Sequence, residues 1–93
     1  MSKRIREAFS HGKAFIPFVT AGDPSLEVTA RLVPAMAAAG ADLIELGIPF
    51  SDPVAEGPVI QQADERALAA GATTDRIFEL VRQIRRETDV PLA

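Results

Sequence analysis

Three carboxylic acids, Glu45, Asp52 and Glu56, fall close together along the chain, and their surroundings differ. Paired carboxylates in unlike environments are a common acid/base arrangement, because environment separates their proton affinities. Glu45 lies among Leu43, Leu46, Ile48 and Phe50 with no Lys or Arg adjacent in sequence. A carboxyl group there should be poorly solvated, hold its proton more tightly and act as an acid near neutral pH. The alternative is a glutamate that rotates outward or pairs with a distant arginine. Asp52 precedes Pro53, a frequent turn dipeptide, so it is either a third acid or a turn former. Glu56 lies just before Pro58, where a helix starts, and an acid at that place is favoured electrostatically whether or not it is catalytic. Phe18 is either a core residue or one wall of a flat aromatic pocket beside Glu45.

Other chemistries are narrowed by what the chain lacks. It contains no cysteine and a single histidine, His11. That excludes a thiolate nucleophile, a Cys-ligated metal and any site needing two histidines. His11 sits in a polar N-terminal segment, poorly placed for a catalytic triad. The turn Ala21-Gly22-Asp23-Pro24 has one glycine and no basic residue, too little for a phosphate loop.

The elements that must position these residues follow from periodicity. Residues 2–10 suit a short amphipathic helix with Ile5, Ala8 and Phe9 on one side. Residues 14–20 form an apolar run expected of a strand covered on both faces, although Pro17 cannot donate to a ladder. Asp23 is expected to cap the next helix with Pro24 in its first position, and Gly40 to end it. Pro34 falls inside that helix, at a usual cost of about 3 kcal/mol. Residues 41–47 read as a second buried strand, ending in Glu45-Leu46-Gly47. A Pro/Gly-rich loop leads to a helix opened by Pro58, with Val59, Ile60, Ala63, Ala67 and Leu68 on its apolar side. Thr73 or Thr74 caps a fourth helix, in which Ile77, Leu80, Val81 and Ile84 share a face. Arg82, Arg85 and Arg86 gather near its end, either a solvated face or complements to the helix dipole. Residues 90–93 look like the start of a third strand. Strands alternating with helices imply right-handed parallel βαβ units, an α/β fold. Residues 1–93 thus make one partial domain: two β/α units and the start of a third strand. Reacting groups in such folds collect at the carboxyl ends of strands, where Glu45 and Phe18 lie.

Composition agrees with a soluble, cytoplasmic domain. The 93 residues are 47% apolar and 25% charged, ordinary for a globular chain and unlike a disordered one. The net charge of −3 argues against a nucleic-acid surface, which needs clustered positive charge. No apolar run reaches the ~18 residues of a membrane span, and the N-terminus has no apolar signal core.

Residues 45–58, Glu-Leu-Gly-Ile-Pro-Phe-Ser-Asp-Pro-Val-Ala-Glu-Gly-Pro, strongly resemble the tryptophan synthase alpha chain family. Residues 15–24, Phe-Ile-Pro-Phe-Val-Thr-Ala-Gly-Asp-Pro, match that family's first strand and turn, and Ala39-Gly40-Ala41-Asp42 agrees as well. The resemblance implies a (β/α)8 TIM barrel of which this chain is the N-terminal third. It implies retro-aldol cleavage of indole-3-glycerol phosphate to indole and glyceraldehyde 3-phosphate, with no metal or cofactor. It also implies an alpha2-beta2 complex, whose pyridoxal-phosphate-dependent beta chain joins the indole to serine. Glu45 falls on the catalytic glutamate that protonates the indole ring carbon. Glu56 falls on the second acid, commonly aspartate, which engages the indole N–H. Phe18 and Ile60 match positions lining the indole pocket, and Asp52 and Pro53 lie in the loop facing the beta chain.

Two departures bear on activity. Glutamate at 56 adds one methylene, and a shift of about 1 Å in a reacting group can cost ~10²-fold. The family's phosphate-binding loops belong to later parts of the barrel. A second expectation therefore stands beside the lyase: a non-catalytic barrel fragment that self-associates through its open strand edges.

Overall fold

The computed structural model describes residues 3–49 and 57–93. The order is α1 (Lys3–Ala8), β1 (Phe18–Thr20), α2 (Leu26–Ala38), β2 (Glu45–Gly47), α3 (Gly57–Ala69) and α4 (Thr74–Glu87). β1 and β2 pair in parallel, setting Phe18 against Glu45, Val19 against Leu46 and Thr20 against Gly47. The last residues join the other side of β2. Leu92 bridges Ile44 in parallel, Ile44 N donates to Pro91 O at 2.9 Å and Leu46 N to Ala93 O at 2.9 Å. The parallel α/β expectation therefore holds, with Leu92 in an isolated parallel bridge beyond β2.

One face of this sheet carries Val19, Ala21, Ile44, Leu46 and Leu92 into a core shared with α2, α3 and α4. Val33, Ile44 and Ile84 are fully buried at its centre, each worth about 1.5–3 kcal/mol of apolar transfer. The helical stripe Ile77, Leu80 and Ile84 of α4 meets Ala30 and Val33 of α2 there. Pro34 sits inside an unbroken α2, next to the buried Val33 of this seam.

Both strand runs were expected to be covered on both faces, and the structure corrects this. Ile16 and Phe18 are exposed, because the helices that form the core all lie against the other side, and Phe15 is exposed ahead of the regular strand. The regular strand in the first run is also shorter, Phe18–Thr20, although Phe15 O and Pro17 O still accept from Asp42 N and Glu45 N at 2.9 Å. Phe9 is exposed as well: α1 ends at Ala8, and Phe9 O accepts from Gly12 N in a closing turn. On α3 only Ala63 and Ala67 of the expected apolar side are buried. Val59 is 74% exposed, while Asp64 is buried.

The helix after β1 is capped by Ser25, not Asp23. Ser25 Oγ accepts from Val28 N at 3.1 Å, and the helix begins at Leu26, beyond the cis Asp23–Pro24 bond. Asp23 is thereby freed for another partner. At the other end Gly40 supplies the expected stop with a φ of 114°. Thr73 caps α4, its side chain accepting from Arg76 N. Of the three arginines near the end of α4, Arg82 and Arg86 are solvated, whereas Arg85 is half-buried. Its guanidinium donates to Val90 O at 2.7 Å, tying the helix end to the strand that follows. Burial, reinforced by the Arg4 charge, lowers its pKa from the ordinary arginine value.

The β1–α2 turn is held by a buried hydroxyl. Gly22 N donates to Thr29 Oγ1 at 3.0 Å, and that hydroxyl donates to Ser25 O at 3.1 Å. Replacing Thr29 by the near-isosteric Val leaves the Gly22 N–H buried without an acceptor. The expected loss is about 1–3 kcal/mol, read as a lower urea midpoint, with Thr29→Ser recovering most of it. An unchanged midpoint for Thr29→Val would refute this account of the turn.

Candidate functional site

The carboxyl ends of β1 and β2 bring Phe18 and Glu45 face to face, as direct partners across the ladder. Both stand on the sheet face opposite the helical core, since alternation sends their neighbours Val19, Ile44 and Leu46 inward. The ring of Phe18 lies over Gly47. A Cβ at Gly47 would be 2.5 Å from Phe18 Cζ, so glycine leaves the space the ring occupies. Gly47 is thus a shaping residue that residue-type reasoning passed over, although it stands within the Glu-Leu-Gly run.

Glu45 is exposed, which corrects the expectation of a poorly solvated acid. Its apolar sequence neighbours do not cover it: Leu46 turns to the helix side, and Ile48 is itself 52% exposed. Glu56, Asp52, Pro53 and Phe50 lie outside the described residues.

Phe18 and Ile60, which the family resemblance assigns to one pocket, share one groove of about 310 Å³. Thr20, Leu32, Val59 and Arg66 complete most of its wall. It has aromatic and branched aliphatic surfaces on three elements, β1, α2 and α3, a lining suited to a flat apolar ring. α3 comes this close to the β1 turn because only small residues meet there. A Cβ on Gly22 would approach Ala72 Cβ to 2.8 Å and Ala67 Cβ to 3.4 Å.

At the rim of the groove, Arg66 Nε donates to Asp23 Oδ1 at 2.8 Å and a second guanidinium nitrogen donates to Asp23 Oδ2 at 3.1 Å. The Asp23 carboxylate raises the Arg66 pKa above its ordinary value, first through the hydrogen bond and then through charge. Asp23 and Arg66 are 43 residues apart and neither sits in a local motif, so the sequence carries no sign of their meeting.

A second cavity, about 380 Å³, lies at the opposite, amino-terminal ends of the strands among Arg4, Glu7, His11, Asp42 and Asp89. In parallel barrels that end serves stability, and the reacting groups lie at the other. Among the described residues, no three His, Asp or Glu side chains come together in a way that would hold a metal ion. No described helix is long and apolar enough to cross a membrane.

Residues 6–93 match the family profile described as tryptophan synthase alpha chain. The tryptophan synthase alpha chain of Alkaliphilus metalliredigens (strain QYMF) is 64% identical over 80 residues, covering 86% of this chain and 30% of that relative. Among solved structures, tryptophan synthase subunit alpha from Legionella pneumophila str. Paris superposes with a TM-score of 0.88 at 43% identity, covering 99% of this chain and 37% of its own. A structure of the tryptophan synthase a2b2 complex from Pyrococcus furiosus superposes with a TM-score of 0.79 at 42% identity, covering 85% of this chain and 32% of that one. The chain spans about a third of the length of the curated relatives it matches.

Gly47→Ala tests the packing of the aromatic wall. The half-exposed ring can swing aside, so the stability cost should fall below the ~1–3 kcal/mol of an overpacked core. The Phe18 ring resonances should nevertheless shift clearly in NMR spectra. Unmoved resonances would show that the ring does not rest on Gly47.

Proposed function

The chain belongs to the tryptophan synthase alpha chain family and has the fold of the N-terminal third of its (β/α)8 barrel, and on that premise we propose that a complete barrel built on this segment is a carbon–carbon lyase. Its substrate is indole-3-glycerol phosphate, and its products are indole and glyceraldehyde 3-phosphate. The observation that carries this reading is the meeting of Phe18 with Glu45 across the ladder and with Ile60 in one groove. An apolar wall suited to an indole ring lies beside a carboxyl group at the carboxyl end of a barrel strand.

In this mechanism Glu45 delivers a proton to the indole ring carbon that bears the glycerol phosphate side chain. Glu56 accepts a hydrogen bond from the ring N–H and offsets the positive charge that develops there. The bond between ring and side chain breaks, its electron pair returns to the ring, and the aromatic indole is restored. The adjacent side-chain hydroxyl becomes the aldehyde carbonyl, and its proton regenerates the Glu45 acid. Phe18 and Ile60 hold the ring plane so that the proton arrives along the right face. The chemistry is proton transfer at carbon, which two carboxyl groups supply.

Glu45 is exposed on a bare sheet face, so its activation as an acid depends on what covers that face. A barrel interior is filled by layers of side chains from all its strands, and closure removes water from such a carboxyl group. Asp52 and Pro53 are placed by this reading in the loop that meets a beta chain, consistent with the a2b2 assembly of the Pyrococcus furiosus relative.

For the 93 residues alone the second reading applies, a fragment without turnover that self-associates through its open strand edges, and the exposed apolar side chains Ile16 and Phe18 on β1, the edge strand, favour it. Light scattering should then give a mass above monomer, and a clean, stable monomer counts against it.

The lyase reading is tested in a chimaera whose first third is residues 1–93 and whose remainder comes from a homologous alpha chain. Glu45→Gln should lower turnover about 10²–10⁴-fold with an unchanged circular dichroism spectrum. Turnover equal to that of the unmodified chimaera would overturn the assignment of Glu45.

A further inference from the structure

We propose that the Asp23–Arg66 ion pair is a positioning device, which holds α3 in a fixed register against the end of β1 and so sets the groove between Phe18 and Ile60. What it positions rests on the lyase reading above; that it positions α3 rests on geometry alone. Asp23 lies on the turn after β1, and its backbone is anchored by Asp23 N donating to Thr20 O at 3.2 Å. The buried Gly22–Thr29 bond fixes the same turn from the other side. Arg66 lies on α3, which starts at Gly57, next to Glu56 in sequence, and carries Ile60. From Arg66 back to Ile60 is about 9 Å along a helix at 1.5 Å per residue. A helix is stiff over that length, so a slip at Arg66 is passed on to the pocket wall.

The buried side chains of α3 are Ala63, Asp64 and Ala67, none larger than an aspartate. Where α3 meets the turn, the contact is made by Ala67 against Gly22, with Ala72 just beyond the helix. Methyl groups resist approach but have little shape to resist sliding. The ion pair supplies direction instead: two parallel N–H···O bonds, at 2.8 and 3.1 Å, match the planar guanidinium fork to the carboxylate. The other ion pairs among the described residues, Lys3–Glu7, Arg4–Asp89 and Glu79–Arg82, are single contacts between exposed side chains. In the Asp23–Arg66 pair the carboxylate side chain is only 19% exposed while the guanidinium is 56% exposed. Pairs with so much contact with water add little to stability, so the contribution of this one is geometric.

The test uses the chimaeric full-length barrel, with Arg66→Lys and Asp23→Asn as separate variants and together. Lysine keeps the charge but cannot make both bonds. Arg66→Lys should lower kcat/KM for indole-3-glycerol phosphate about tenfold and speed amide hydrogen exchange over residues 57–63, with little change in melting temperature. Asp23→Asn should do the same, and the double variant should be no worse than either single one. Unchanged exchange in both single variants would overturn the proposal, whatever happens to turnover. So would a large fall in melting temperature without faster local exchange, the mark of a general stabiliser. An unmodified chimaera without lyase turnover would sink the functional reading instead, and the exchange measurements would still decide the role of the pair.

Discussion

The parallel pairing of β1 with β2 is the constraint on which the remaining geometry depends. Its register matches Phe18 with Glu45 and Thr20 with Gly47. A slip of one residue would send Glu45 into the helical core and bring Leu46 out of it, since side chains alternate between faces. That core therefore enforces the register: Ile44 and Leu46 can be buried with Val33 and Ile84 only if Glu45 points away from them. Apolar burial on one side of the sheet thus decides where the acid stands on the other.

Much of this was legible in the chain, for physical reasons that differ by element. α4 was plain because its apolar residues recur at helical spacing and Thr73 has the chemistry of a cap. The two strand runs were recognisable as apolar segments bounded by turns. The pairing of Phe18 with Ile60 in one groove came from family resemblance, because nothing local links a strand residue to a helix so far along the chain.

The misreadings share a cause. Apolar spacing marks a residue as fit for burial but carries no count of the helix layers that exist to cover it. Ile16 and Phe18 stand in the open because the helical core forms on a single side, and Glu45 stands with them. The same limit explains Asp23. Its type suits a helix cap, but Ser25 sits two residues nearer the helix, and a partner 43 residues away claims the carboxylate. Long-range polar contacts of this kind leave no periodic trace.

Small side chains at the seam between the β1 turn and α3 carry a consequence for sequence drift. Gly22, Ala67 and Ala72 meet with no slack: Gly22 has a φ of 92°, and even a methyl group there would collide with Ala72. Any of the three that grew would act as a wedge, tilting the helix that follows Glu56. Bulk is therefore capped here by leverage as well as by local crowding. Enlarging Ala67 or Ala72 by one carbon at a time offers a graded mechanical adjustment of pocket width, made from behind the wall and without touching a residue that lines it.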